Sequence, residues 1–213
     1  AMRRLYARVM KERFKAKKPE SMMGRWFNGG AGTSMHREQY LNNIARTAIA
    51  GLAAVFSGCL SMGLRAYDEH FGTPTKEAIL TSLRTQQIIA YETGVTDTVD
   101  PLAGSYFIES LTLEFEERIL QELEAIERRG GVLRCIEEGY FQRVLAEDGY
   151  NWQKAVESGD MVWVGVNKFA TTDEESRPMR IYRADPKAEE RRIAAVRELR
   201  RNRDNVKVKK TLS

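Results

Sequence analysis

Apolar residues recur every three or four positions along most of this chain, the spacing of amphipathic helices. The helices predicted from this spacing cover 2–16, 38–57, 73–93, a stretch ending at 129, 132–137, 140–158 and 186–203. The second carries the apolar stripe Leu41, Ile44, Ala45, Ala48, Leu52 and Val55. The fourth carries the stripe Leu111, Phe115, Ile119, Leu123 and Ile126. We expect Pro74 at the first position of its helix and Gly94 as a left-handed cap at its end.

Short apolar runs between the helices predict strands. The first run ends at Phe27, before a glycine-rich turn, and the next two cover 58–63 and 95–99. Strands that alternate with helices of roughly 20 residues are typical of a parallel sheet. Three such strands with both edges open make a poor free-standing sheet, so the pattern predicts an α/β segment of a larger barrel or sheet. Later, 161–167 is strand-like and 170–180 is a polar loop.

Charge and composition narrow the possible functions. The net charge of +4 conceals basic ends, because residues 1–18 carry +7 and residues 183–210 carry +6. Both ends have helical apolar spacing, so we interpret their charges as the solvated faces of helices rather than a nucleic-acid surface. No apolar window is long enough to cross a membrane. The two cysteines fit no disulfide scaffold or zinc motif, which favours a reducing, cytoplasmic compartment and no metal site.

Three loops that follow the predicted strands are candidates for chemistry. The run 29–32 (GGAG) could bring backbone N–H groups close to an anion, although it matches no nucleotide-binding motif and a structural turn is the simpler interpretation. Asp68 and Glu69 follow the second strand and are site carboxylates, a solvated acidic pair or charges at a helix N-terminus. Asp100 follows the third and favours a turn. Ser105 has no histidine nearby in sequence, which argues against a nucleophile.

Several runs resemble the methylmalonyl-CoA mutase family, the adenosylcobalamin-dependent acyl-CoA mutases. They are 41–47 (LNNIART), 84–94 (RTQQIIAYETG), 99–106 (VDPLAGSY) and 164–169 (VGVNKF). The entry segment 3–14 and the late segment 182–204 are similar too, and all these runs follow the family's order. The resemblance therefore covers nearly the whole chain.

The resemblance implies a fold and an assembly. It implies the last three strand–helix units of a (β/α)8 barrel over 1–130, and a helical extension over 131–213 that leads toward a cobalamin-binding domain. The first five units and the cobalamin-binding signature do not occur in the sequence. We expect a split gene, with this chain as a carboxyl-terminal half-barrel subunit. Its expected partners are an amino-terminal barrel half and a cobalamin-binding subunit, in an oligomer.

The resemblance also implies a reaction and site residues. The family catalyses a radical rearrangement of an acyl-CoA carbon skeleton, with adenosylcobalamin as the cofactor. Arg25 matches an arginine that contacts coenzyme A phosphates, and Glu69 matches a glutamate that binds the ribose of the adenosyl group. Arg65 replaces an asparagine that also faces this ribose. No catalytic residue is assigned to this chain.

Three further positions differ from the family's usual pocket. Phe27 and Gly29 stand in place of a histidine and a glutamine, and Leu60 replaces a second glutamine. These changes predict a pocket for a bulkier or more hydrophobic acyl group, with methylmalonyl-CoA as the default substrate. The competing hypothesis is a non-catalytic scaffold subunit derived from the family.

Overall fold

The computed structural model describes residues 1–30, 32–171 and 181–212, and the fold over these ranges is mostly helical. Two short strands, β1 (Phe27–Asn28) and β2 (Ser61–Met62), form a parallel sheet with Phe27 opposite Ser61 and Asn28 opposite Met62. In chain order the helices are α1 (Met2–Glu12), α2 (Pro19–Met22), α3 (Asn42–Ser57), α4 (Lys76–Glu92), α5 (Tyr106–Arg128), α6 (Val132–Glu137), α7 (Tyr140–Ser158), α8 (Ala188–Asn202) and α9 (Asn205–Leu212). The α/β class is confirmed as a small parallel sheet among helices.

The third predicted strand does not form. Residues 95–99 adopt turns and bends, and Val99 is 94% exposed. Thr93 and Thr96 donate their hydroxyls to the carbonyls of Ile89 and Ala90, which holds this segment against the end of α4 instead of extending it. A strand also needs a neighbour to pair with, and the described chain offers none here.

The strand-like stretch 161–167 is also not a strand. It forms turns with a single bridge between Val164 and Lys168. Most of the predicted polar loop 170–180 lies outside the described residues. The predicted C-terminal helix 186–203 is confirmed as α8. Asp204 then accepts hydrogen bonds from the amides of Val206 and Lys207 and starts α9, which was not predicted.

The start of α4 differs from the prediction. The helix begins at Lys76, and Thr75 is the N-cap because its hydroxyl accepts a hydrogen bond from the Ala78 amide at 3.3 Å. Pro74 therefore precedes the helix instead of occupying its first position. Gly94 follows the last turn with φ +71, which confirms the predicted left-handed cap.

α3 and α4 pack through small and polar side chains. The buried residues of α3 are Asn43, Thr47, Gly51 and Ala54, and those of α4 are Ala78, Ser82, Thr85 and Ile89. A Cβ added at Gly51 would lie 2.8 Å from Ile89 Cδ1, so the helices approach closely where Gly51 lies. The predicted apolar stripe of α3 is therefore not its buried face: Leu41 is 41% exposed and Ala45 is also exposed.

α1 is bound to α5 through ion pairs. Glu116 of α5 is buried, and its carboxylate accepts a hydrogen bond from Arg4 Nε at 2.6 Å. Arg8 Nη1 lies 2.7 Å from the other oxygen of Glu116, and Arg13 pairs with Glu127 at 2.5 Å. These basic residues of the first helix are therefore partners of α5.

Candidate functional site

The carboxyl ends of β1 and β2 open into a shallow cleft of about 320 Å³. Because the strands are parallel, the loops that follow them meet at one edge of the sheet, where active sites of parallel α/β folds are built. The residues lining the cleft are Phe27, Gly29, Gly63, Leu64, Arg65, Ala66, Glu69, Pro74, Ile79 and Ser82. The structure thus brings together four of the six residues nominated from the sequence.

Arg65 connects the two sides of this cleft. Its Nη1 forms an ion pair with Glu69 Oε1, and its Nε donates to the carbonyl of Gly30 at 3.3 Å. The two side chains are 39% and 34% exposed, so the pair is open to a ligand in the cleft. Arg65 therefore links the loop after β1 to the carboxylate after β2.

Histidine and glycine residues fix the loop after β1. Nε2 of His70 lies 3.1 Å from the carbonyl of Gly32, close enough for its N–H to donate. The Gly30 amide donates to Asn28 Oδ1 at 3.0 Å, with Gly30 at φ +69, a conformation that favours glycine. The glycine-rich turn is consequently a structural turn whose carbonyls are held by cationic or polar side chains.

Phe27 lines the cleft with its aromatic ring. Its ring lies over Gly29 and Gly63, since a Cβ at these positions would lie 3.1 Å and 2.9 Å from ring carbons. The side chain is 68% exposed, so the first strand is not the buried strand predicted from its apolar run. The ring therefore presents apolar surface at the mouth of the cleft.

Arg25 and Leu60 lie apart from the cleft. Arg25 is exposed and lines a different surface depression with Tyr6, Glu20 and Trp26. Leu60 is 69% exposed and precedes β2, whereas the cleft lies beyond the end of that strand. Their proposed contacts with a substrate stay predictions.

Asp68 and Glu69, neighbours in sequence, have different environments. Asp68 is buried, and its Oδ2 accepts from the Thr75 amide at 2.8 Å and the Thr75 hydroxyl at 2.7 Å. It holds the start of α4, whereas Glu69 lines the cleft. The acidic pair is thus one structural carboxylate and one that lines the cleft.

A buried polar cluster at the start of α3 was not predicted from the sequence. Asn43 is fully buried, and Arg46 lies one helical turn later on the same face. Burial, followed by the nearby Arg46 charge, lowers the pKa of His36 to about 4, so its imidazole is neutral at pH 7. The polar residues of the 41–47 run (LNNIART) are the signal that could have identified this cluster, but the apolar residues of the same run predict only a packed helix face.

The described residues contain no helix long and apolar enough to span a membrane. Within the same residues, no group of three or more histidine, cysteine, aspartate or glutamate side chains is arranged to hold a metal ion.

Comparison with known proteins identifies the family. The sequence profile of the family described as methylmalonyl-CoA mutase matches residues 1–213. The large subunit of 2-hydroxyisobutanoyl-CoA mutase from Aquincola tertiaricarbonis is 42% identical over 212 residues, covering 100% of this chain and 38% of the relative. Methylmalonyl-CoA mutase from Rhizobium meliloti is 37% identical over 213 residues, covering 100% of this chain and 30% of the relative.

A third relative is named for a different acyl group. The fused isobutyryl-CoA mutase of Geobacillus kaustophilus is 32% identical over 207 residues, covering 95% of this chain and 19% of that protein. The chain spans between 19% and 38% of the length of these three relatives. The match over its whole length and the named relatives show that the chain belongs to the methylmalonyl-CoA mutase family of acyl-CoA mutases, which are isomerases.

Proposed function

We propose that this chain forms part of the catalytic barrel of an adenosylcobalamin-dependent acyl-CoA mutase. The observation that carries the proposal is the cleft at the carboxyl ends of β1 and β2, where Arg65 holds the Glu69 carboxylate beside the apolar surface of Phe27. A cleft in this position with one oriented carboxylate suits a site that fixes a polar cofactor group next to an apolar reacting group.

The residues of the cleft fit the adenosyl group of the cofactor. The described hydrogen bond of Glu69 uses Oε1, which leaves the carboxylate able to accept from the hydroxyls of a ribose. Both histidines of the chain have structural roles, His36 against Trp163 and His70 at Gly32, so we propose that the corrin is held mainly by another domain. The bound cofactor would supply the radical chemistry, while Glu69 and Arg65 orient its ribose and the barrel excludes water.

We propose a branched acyl-CoA that is bulkier or more hydrophobic than methylmalonyl-CoA as the substrate, with methylmalonyl-CoA itself as the alternative. Gly29 adds no side chain to the cleft and the Phe27 ring lies over it, so the cleft offers apolar contact for alkyl groups. The acyl groups in the names of two relatives, 2-hydroxyisobutanoyl and isobutyryl, each carry two methyl groups and lack the second carboxylate of the methylmalonyl group, so they are more hydrophobic. Arg25 would contact coenzyme A phosphates through charge-assisted hydrogen bonds, and Leu60 would contribute apolar surface in the assembled barrel.

The assembly that we propose has two further components. An amino-terminal barrel half would complete the (β/α)8 barrel with 1–130, which supplies its last three strand–helix units. Residues 95–99 would become the third strand once a neighbouring strand is present to pair with them. The extension 131–213 would lead toward a cobalamin-binding domain or subunit. We propose that these parts assemble into an oligomer.

The experiment is a substrate panel assayed on the assembled protein, with barrel half, cobalamin-binding subunit and adenosylcobalamin supplied. We expect kcat/KM for an acyl-CoA with a larger alkyl branch to exceed that for methylmalonyl-CoA, since each additional buried methylene contributes about 0.8 kcal/mol. A tenfold preference for methylmalonyl-CoA over every acyl-CoA with a larger alkyl branch would contradict the enlarged pocket. Absence of turnover with all substrates, despite assembly and cofactor binding, would favour the non-catalytic scaffold.

A further inference from the structure

Residues 161–169, the docked segment, lie against the start of α3. Arg46 Nη2 donates to the Val164 carbonyl at 2.6 Å, and Gln39 Nε2 donates to the Phe169 carbonyl at 2.7 Å. The Trp163 ring meets the His36 ring edge to face, with 3.7 Å between their centroids. The extension is therefore attached to the strand–helix part of the chain by two hydrogen bonds and an aromatic contact.

Asn43 contacts both Arg46 and His36, and both the oxygen and the nitrogen of its side-chain amide form hydrogen bonds. Its Oδ1 accepts from Arg46 Nη1 at 2.8 Å and from the His36 amide at 3.1 Å. Its Nδ2 donates to the His36 carbonyl at 2.7 Å and to the Tyr67 carbonyl at 3.0 Å. Because Asn43 is fully buried, each of these bonds would be costly to lose, and the four of them fix the side chain in one orientation.

The Tyr67 carbonyl belongs to the turn that presents Glu69 to the cleft. In this turn the Glu69 amide donates to the Ala66 carbonyl at 3.1 Å, and the Phe71 amide donates to the Asp68 carbonyl at 2.9 Å. A shift of the Tyr67 carbonyl would therefore move the backbone two residues before the site carboxylate. Arg46 and Asn43 thus form a continuous hydrogen-bonded connection from Val164 to this turn.

We propose that Asn43 and Arg46 are positioning residues that couple the docked segment to the orientation of Glu69. Undocking of 161–169 releases Arg46, which loosens Asn43 and with it the Tyr67 carbonyl. The position of the extension then sets the position of the carboxylate at the cleft. The coupling between the docked segment and the turn that carries Glu69 is argued from the contacts alone. Only its consequence for cofactor binding rests on the proposed function, in which Glu69 binds the ribose of the cofactor.

Hydrogen exchange of backbone amides in the full chain tests this coupling. Gln39→Ala removes the hydrogen bond to the Phe169 carbonyl and the one from the Asn42 side chain, and leaves the four hydrogen bonds of Asn43 in place. We expect amides of 161–169 and also of 66–71 to exchange roughly fivefold faster, as for loss of one hydrogen bond to the docked segment. Asn43→Asp keeps the acceptor for Arg46 and for the His36 amide but loses the donors to the His36 and Tyr67 carbonyls. It should speed exchange in 66–71 while 161–169 keeps its protection.

One variant serves as a control, and two outcomes would contradict the coupling. Arg84→Ala removes an exposed contact with Gln87 on α4 and should leave both segments unchanged. Faster exchange of 161–169 alone in Gln39→Ala, with 66–71 unaffected, would overturn the coupling. Equal loosening of both segments in Asn43→Asp would also overturn it, because it would indicate general destabilisation. These readouts need no cofactor or substrate, so failure of the proposed activity leaves them interpretable.

Discussion

At the scale of single residues, the ion pair between Arg65 and Glu69 orients a carboxylate more than it stabilises the fold. Both side chains are about one-third exposed, and exposed pairs of this kind contribute about 0.2–1 kcal/mol. Arg65 also donates to the Gly30 carbonyl, so its guanidinium has a fixed position relative to both loops. The direction of the Glu69 carboxylate is thereby set by the loop after β1.

We expect Glu69→Gln to weaken adenosylcobalamin binding to the assembled protein. Replacing the carboxylate removes a charged acceptor for the ribose hydroxyls, a loss of roughly 1.5–3 kcal/mol, so the dissociation constant should rise about tenfold or more. The measurement is a binding titration followed by the absorbance of the cofactor.

A matched variant separates this effect from the loss of any surface ion pair. Glu114→Gln removes a similar pair with Arg118 on α5, with both side chains more than half exposed, and should leave cofactor affinity unchanged. If Glu69→Gln binds the cofactor as tightly as Glu114→Gln does, Glu69 is a solvated surface acid.

At the scale of elements, the contact between α3 and α4 depends on the absence of a side chain at Gly51. A Cβ there would lie 2.8 Å from Ile89 Cδ1 and 3.0 Å from Leu64 Cδ1. These are the ends of flexible side chains, so a single methyl group could be accommodated by small shifts, but a branched side chain would push the helices apart.

Gly51→Val should therefore destabilise the helix pair by about 1–3 kcal/mol, through overpacking. Gly149→Val is the control, because Gly149 lies within α7 with no neighbouring atom within 4 Å of an added Cβ. Both variants change the helix propensity in the same way, so their difference isolates packing. Hydrogen exchange of α3 and α4 amides should be roughly ten- to a hundredfold faster in Gly51→Val alone. Equal exchange in the two variants would show that α3 and α4 tolerate a larger separation.

How far the sequence predicts these elements depends on how local their determinants are. The helices α6 and α7 match their predicted bounds because glycines such as Gly131, Gly139 and Gly159 delimit them. The predicted strands agree less well with the structure than the predicted helices do. β1 and β2 contain two residues each, and 95–99 has no neighbour to pair with in the described chain. Strand pairing is a long-range property that an apolar run does not encode by itself.

The site was predictable in part for the same reason. Glu69 could be placed at the cleft because it lies in the loop after the second strand, and Arg65 because of the resemblance to the family. Their mutual ion pair and the buried role of Asp68 depend on the backbone of a turn that no periodicity describes. Asn43 escaped the prediction because a buried asparagine is recognised by the carbonyls around it, which come from distant segments.

At the scale of the whole molecule, the chain exposes much more surface than a compact protein of its length. The accessible surface is 16,944 Å², whereas a compact protein of 213 residues would expose about 10,000 Å². Large apolar side chains are exposed on several helices, among them Leu83 and Tyr91 on α4 and Phe107 and Leu113 on α5. Apolar faces on this scale are typical of surfaces that another chain or domain covers.

We therefore expect the chain alone to associate with itself, and to form a defined complex when the rest of the barrel is supplied. The surplus surface of several thousand Å² exceeds the roughly 2,000 Å² at which obligate interfaces begin, so burying it should dominate the behaviour of the free chain. Sedimentation velocity over a range of concentrations should show species larger than the monomer, and thermal unfolding should be broad. Addition of the amino-terminal barrel half should give one species with a sharp transition. A dilute, strictly monomeric sample that unfolds in a sharp cooperative transition would show instead that these apolar faces are tolerated in water.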